Sequence, residues 1–226
     1  MKPKVFASWS GGKDGCLSCY RALRNGLDVR YLANMVTGDG ERSCSHGLAS
    51  EVLRIQSRAM GIPLIQRQTT RSTYEAEFKD VIQSLKREEI TGGVFGDIDF
   101  NEHRQWIDRV CRDMGITPYL PLWEERQEKL IQEFIAAGFV SVVVSAKADF
   151  FDQDILGQTI DPDFVRHLEE IGRTKDITLC GEAGEYHTLV VDGPLFQQRL
   201  VITEAEKVSR NGVWFLEISG VTLENK

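Results

Sequence analysis

Apolar strand signals and amphipathic helix signals alternate through the first half of this chain, and nothing else in the sequence restricts its fold as strongly. Val5 to Trp9 is a short β-rich run. A helix fits about residues 14–25, with Cys16, Cys19, Tyr20 and Leu23 at three-to-four spacing and Asn25-Gly26 as its stop. Asp28 to Val36 reads as the second strand, Leu48 to Met60 as a helix closed by Gly61, and Ile62 to Gln66 as the third strand. Ser72 and Glu75 have capping-box spacing for a helix running to about Glu89. Gly93 to Ile98 is a fourth apolar strand, and Asn101 caps a helix ending near Gly115. Alternation at this spacing predicts βαβ units and a parallel sheet.

The pattern changes after Pro118 and Pro121. A helix at about 124–137 precedes a β-branched strand from Phe139 to Ser145, and a further helix spans about Asp163 to Ile171. The remainder is mostly strand: Thr188 to Val191, Leu200 to Val208 and Val213 to Ile218, the last two joined by Asn211-Gly212, a strong hairpin signal. We therefore expect two parts, residues 1–121 and 122–226. There is no internal repeat.

The junction after the first strand reads Ser10-Gly11-Gly12-Lys13-Asp14. Free N–H groups and the dipole of the following helix favour an anion there. Two glycines let backbone amides approach oxygens that a Cβ would block, Lys13 adds a full positive charge and Ser10 a hydroxyl. The spacing is neither a Walker A loop nor the dinucleotide fingerprint. A turn serving chain geometry alone is the alternative; the whole pentapeptide points to phosphate. Cys180-Gly181-Glu182-Ala183-Gly184-Glu185-Tyr186-His187-Thr188 is the second unusual segment. Its paired glutamates could orient an ammonium or take up protons, or be solvated acids in a glycine-rich turn.

Charge narrows the classes. Against 27 basic residues stand 34 acidic ones, a net charge of −7, whereas non-specific nucleic-acid binders need a basic excess. No apolar run approaches a bilayer span and the N-terminus does not read as a signal peptide. Five scattered cysteines do not form a disulfide framework. We expect free thiols and a cytoplasmic protein. Cys16-Leu17-Ser18-Cys19 lacks a second pair for zinc and is assigned to core packing. His46 is either a nucleotide-site residue or a helix start. His103 is either a pocket histidine or, the favoured reading, an exposed helix residue, and Trp123 either stacks in the cleft or, the favoured reading, anchors the second part; His167 and Lys86 to Glu89 are assigned to solvated faces.

At Ser10 to Asp14 the sequence resembles the ATP pyrophosphatases of the adenine nucleotide alpha-hydrolase superfamily. Gly181-Glu182-x-Gly184-Glu185-Tyr186, followed by Val191-Asp192-Gly193-Pro194-Leu195-Phe196, resembles the signature of the diphthine–ammonia ligase family. Gly61-Ile62-Pro63-Leu64, Gly96-Asp97-Ile98 with Arg104 and Cys111, Pro121-Leu122-Trp123, Ala137-Gly138-Phe139 and Gly157 occur in matching order, so the resemblance spans about residues 4–196. It implies an α/β fold: a parallel five-stranded, Rossmann-like nucleotide-binding sheet with helices on both faces, followed by a smaller α+β domain. It implies ATP and Mg2+ as cofactors. The carboxylate of diphthine on elongation factor 2, or a related acid, would be adenylated and then amidated by ammonia, releasing AMP and pyrophosphate.

Carried over by position, Ser10, Gly11, Gly12, Lys13 and Asp14 hold the phosphates, with Asp14 near magnesium, and His46, Gly96 and Asp97 complete the ATP site. Arg104, Gly181, Glu182, Gly184, Glu185, Tyr186 and His187 face the acyl substrate, and Lys13, Asp14, Glu182 and Glu185 are the catalytic set. The chain departs from the family segment Gly-Glu-Gly-Gly-Glu-Tyr-Glu-Thr at Ala183 and His187, and Asp97 to His103 is more acidic than in diphthamide makers. The extra C-terminal domains of long eukaryotic relatives are not expected. A tRNA-modifying thiolase would need a basic face and a sulfur-carrying cysteine. A non-catalytic nucleotide-binding regulatory module is the other alternative. A homo-oligomer is compatible with the sequence, and neither a nucleic acid nor a membrane is an expected partner.

Overall fold

The computed structural model describes residues 2–226, and its first half is a five-stranded parallel sheet. The elements in chain order are β1 (Lys4–Ser8), α1 (Lys13–Arg24), β2 (Asp28–Val36), α2 (Ser50–Met60), β3 (Leu64–Gln68), α3 (Tyr74–Lys86), β4 (Gly92–Val94), α4 (Asn101–Met114) and β5 (Thr117–Tyr119). Their spatial order is β3-β2-β1-β4-β5. Central β1 is buried on both sides, as a strand covered by helices must be. Val5 and Ala7 join the core with Cys16, Leu17 and Cys19 of α1, and Phe6 packs with Phe78 of α3 and Phe95. The Cys-x-x-Cys pair is thus core, both residues fully buried.

The fifth strand implied by the resemblance is β5, three residues containing Pro118 that carry no strand pattern of their own; as an edge strand pairing only with β4 it tolerates the missing N–H. Ser72 does not cap α3, which starts at Tyr74 after Thr73, and Glu75 instead binds the Trp106 indole at 3.0 Å and the Arg109 guanidinium at 2.6 Å. The fourth strand stops at Val94 rather than Ile98, since Phe95 to Ile98 leave the sheet to pass over the start of α1.

The second half contains α5 (Gln127–Ala136), β6 (Val140–Lys147), a single 3-10 turn, α6 (Pro162–Gly172), β7 (Tyr186–Asp192), β8 (Gln198–Arg210) and β9 (Val213–Asn225). Helix α5 starts later than expected, after Glu124 at φ 58°. The strands form an antiparallel sheet in the order β7-β6-β9-β8. Asn211 and Gly212 both have positive φ, 51° and 75°, as a two-residue hairpin turn requires. β8 and β9 outrun the expected strands, pairing as far as Gln198 with Asn225. Helix α2 is packed on both sides: Ala59 and Met60 join the core of the first sheet, while Val52 and Leu53 meet Val144 and Leu189 of the second. No helix among the described residues is long and apolar enough to cross a membrane.

Candidate active site

From β1 the chain winds outward to β2 and β3, then returns to the other side of β1 as β4. Loops leaving β1 and β4 diverge at this switch point, where open α/β sheets bind ligands. The loop after β1 is Ser10 to Asp14 and the loop after β4 carries Gly96 and Asp97. A cavity of about 410 Å³ opens between them, also lined by residues 180–182 and 186–188 of the second half. Gly96 permits this approach: a Cβ there would lie 2.9 Å from Gly15 N and 3.0 Å from the Asp14 carbonyl carbon, both backbone atoms. We expect Gly96→Ala to cost about 1–3 kcal/mol, as thermal unfolding would reveal.

Gly11 has φ +82° and its carbonyl accepts the Val190 N–H of β7 at 2.9 Å. Gly12 is the N-cap of α1 and offers no side chain. The Cys16 N–H bonds to Gly12 O and the Lys13 N–H to Thr188 Oγ1 at 3.0 Å. The helix geometry gives the Asp14 and Gly15 N–H groups no intrahelical acceptor, and both residues line the cavity.

Lys13 is 4% exposed. Its ammonium donates to Asp14 Oδ2 at 2.7 Å and to the Cys180 carbonyl, and lies 5.4 Å from the centre of the Tyr186 ring. Burial is the largest influence and opposes its charge, but Asp14, Tyr186 and Cys180 together outweigh it and hold the pKa above the usual lysine value. Asp14 itself is raised by burial, with Lys13 counteracting. The Tyr186 hydroxyl is committed to the Leu179 carbonyl at 2.6 Å, so its ring serves as a support under Lys13.

Glu182 and Glu185 separate. Gly181 and Gly184 both have positive φ, so the turn between them aims the two side chains differently. Glu182 lines the cavity, with Oε2 3.3 Å from the Ile98 N–H; burial, reinforced by Asp14, pushes its carboxyl up to about 7. Glu185 is 1% exposed and absent from the cavity wall; Oε1 accepts the Thr178 N–H at 2.5 Å and Oε2 has no partner among the described residues. Gly184 lies in the same turn, outside the wall. Arg104 is also outside it, paired with Asp108 at 2.8 Å and stacked over Trp123. His103 is exposed, in line with the favoured reading, and also part of the rim, with Nδ1 3.0 Å from Asp97 Oδ1; that hydrogen bond raises its pKa. His167 is exposed.

His46 and His187 stack with ring centres 4.5 Å apart and planes at 22°. His46 Nδ1 lies 3.1 Å from the Thr188 carbonyl, which can only accept, so this nitrogen carries the proton and Nε2 is left with a lone pair. Burial first, then the positive field of Lys13, takes His187 down to about 4; burial and His187 take His46 well below the ordinary value. Both rings are neutral at pH 7. The unfolded chain binds protons at these sites that the folded one refuses, so stability falls as pH drops from about 6.5 to about 4. Thermal unfolding across that window should show the fall, and His187→Gln should make it shallower, leaving the share of His46.

Trp9, Met35, Tyr74, Phe95 and Trp106 supply aromatic and apolar parts of the cavity wall, and none of them was singled out from sequence. Gln56, fully buried on α2, was also missed: nothing in its sequence context distinguishes it from a helix-face glutamine. No set of three His, Cys, Asp or Glu side chains converges as a metal site among the described residues. The charge of Asp97 acts on Asp14. One or two carboxylates beside a phosphate loop fit Mg2+ held largely by phosphates and water.

Two family descriptions match the chain: diphthamide synthase N-terminal domain over residues 3–118 and diphthamide synthase C-terminal domain over residues 126–223. The diphthine–ammonia ligase of Rattus norvegicus is 28% identical over 99% of this chain and 93% of its own length. That of Homo sapiens is 26% identical over 96% and 89%. A solved structure titled as a predicted subunit of tRNA methyltransferase from Methanocaldococcus jannaschii aligns over 85% of this chain and 98% of its own, at 16% identity and a TM-score of 0.44. With both halves matched, on either side of a cavity that each helps to line, the chain belongs to the diphthamide synthase family.

Proposed function

We propose that the protein adenylates the carboxylate of diphthine on elongation factor 2 and converts it to the amide with ammonia, releasing AMP and pyrophosphate. The observation that carries this reading is the meeting, in one cavity, of a phosphate-type loop and a carboxyl poised near neutrality. In the first step a carboxylate oxygen of the acid attacks the α-phosphorus of ATP and pyrophosphate departs. Lys13 and the first N–H groups of α1 stabilise the charge on the leaving group. Magnesium, held through the phosphates and Asp14, would neutralise part of that charge.

In the second step ammonia attacks the acyl carbon and AMP leaves. The nitrogen must lose a proton as the tetrahedral centre forms, and the Glu182 carboxylate is the acceptor in the cavity. The orphaned Glu185 oxygen suits an ammonium held in reserve, since buried acceptors are rarely left unpaired. No covalent protein nucleophile is required. Ala183 and the neutral His187 give the acyl side one carboxylate fewer than the family segment. Incubation with labelled ammonium, MgATP and diphthine-bearing elongation factor 2 should place the label in an amide on the factor in a one-to-one ratio with AMP. AMP release with no label on the factor would reject this acid as the substrate.

A further inference from the structure

We propose that Gln56 is a positioning residue for the reaction, its carboxamide holding the phosphate loop and strand β7 in one fixed relation. Gln56 is completely buried and every polar atom of its amide is used. Oε1 accepts from the Trp9 indole at 2.9 Å, while Nε2 donates to the Gly11 carbonyl at 3.0 Å and to the Val190 carbonyl at 2.7 Å. Trp9 can only donate and the two carbonyls can only accept, so the orientation of the amide is fixed. Trp9 directly follows β1, Gly11 belongs to the nucleotide loop, and Val190 lies on the strand that presents Tyr186, His187 and Thr188. Residues 45 and 134 positions from Gln56 in the chain are thus joined at a single side chain.

The surroundings match the role. Gly11 holds a left-handed conformation, and a Cβ there would sit 3.0 Å from Gln56 Oε1, so loop and amide are fitted to each other. Two further bonds tie the two segments, Val190 N–H to Gly11 O and Lys13 N–H to Thr188 Oγ1. Those bonds fix proximity; the amide, bonding to carbonyls of both segments, fixes orientation. Adenylation takes place at the loop and ammonia attack beside β7, so a loosened relation leaves the acyl-adenylate to water, which returns the free acid and releases AMP without amide. The inference rests on the ligase reading for its kinetic consequence, but not for its structural one.

Gln56→Met keeps length and leaves the backbone bond in place; Gln56→Glu keeps shape and loses both donated bonds. In each variant we expect the nucleotide KM to stay within about threefold while amide formation falls about tenfold or more, with AMP released in excess of amide. Loss of fold alone would lower the active fraction and leave the AMP-to-amide ratio at one. Hydrogen exchange supplies a readout independent of ligase activity. In the parent protein nucleotide should slow exchange in residues 10–15 and 186–192 together; in Gln56→Met protection should remain at 10–15 and be lost at 186–192. Unchanged coupling of the two segments in both variants would overturn the proposal, whatever acid the enzyme amidates. Coupled protection lost with no amide made even by the parent would support the positioning role and overturn the ligase reading instead.

Discussion

Glu182→Gln is expected to slow amide formation by roughly 10²–10⁴-fold, the usual contribution of a positioned general base, with nucleotide affinity near that of the parent. The substitution preserves shape, and its side-chain oxygen can still accept the Ile98 N–H. What disappears is a carboxylate able to take the proton from the attacking nitrogen. Because burial and Asp14 push this carboxyl up to about 7, the parent rate, compared at a fixed concentration of free ammonia, should rise with pH through about 7 and level off above it. The variant should lack that limb. Stability moves in the other direction. A carboxyl whose pKa is raised on folding favours the folded state below about 4.5 and loses that advantage as pH climbs through about 7. At pH 8 the variant should therefore be at least as stable as the parent. Activity lost without loss of stability would mark Glu182 as chemical. An unchanged pH limb in the variant would move the base elsewhere.

Lys13→Met is expected to damage both stability and turnover. Removing the ammonium strands the Asp14 carboxylate and the Cys180 carbonyl, and breaking a buried pair costs about 3–5 kcal/mol. Asp14 retains 26% of its side-chain exposure, so the lower end of that range applies. At about 2–4 °C per kcal/mol for a chain of this size, Tm should fall by about 6–12 °C. Turnover should drop by at least about 10²-fold, since the positive charge at the phosphate loop is gone. Lys13→Arg should not rescue it, because the site is closed around a compact ammonium and a planar guanidinium needs a different cradle. A stable Lys13→Met protein that still turned over ATP would remove this residue from the phosphate site.

Both expectations began with short motifs, and the difference between motif and site is instructive. Ser10 to Asp14 was legible because a glycine pair at a strand–helix junction does its work locally. The Asn211-Gly212 turn and the buried face of α1 were legible for the same reason. β5 was not, since three residues including a proline carry no periodicity. The separation of Glu182 from Glu185 depends on two left-handed glycines, and spacing alone could not say which acid reaches the cavity. Lys13 meeting Cys180 across 167 positions, and Gln56 joining loop to strand, are products of tertiary packing. Arg104 shows the converse: a residue matched by motif can spend its charge on a neighbour four positions away.

The central claim is that this cavity cleaves ATP between the α and β phosphates to activate an acid. The direct test is product analysis after incubation with α-labelled ATP, magnesium, ammonium and diphthine-bearing elongation factor 2. Label recovered as AMP, with pyrophosphate released in equal amount and both dependent on the acid, is the result predicted. Label recovered as ADP would contradict it.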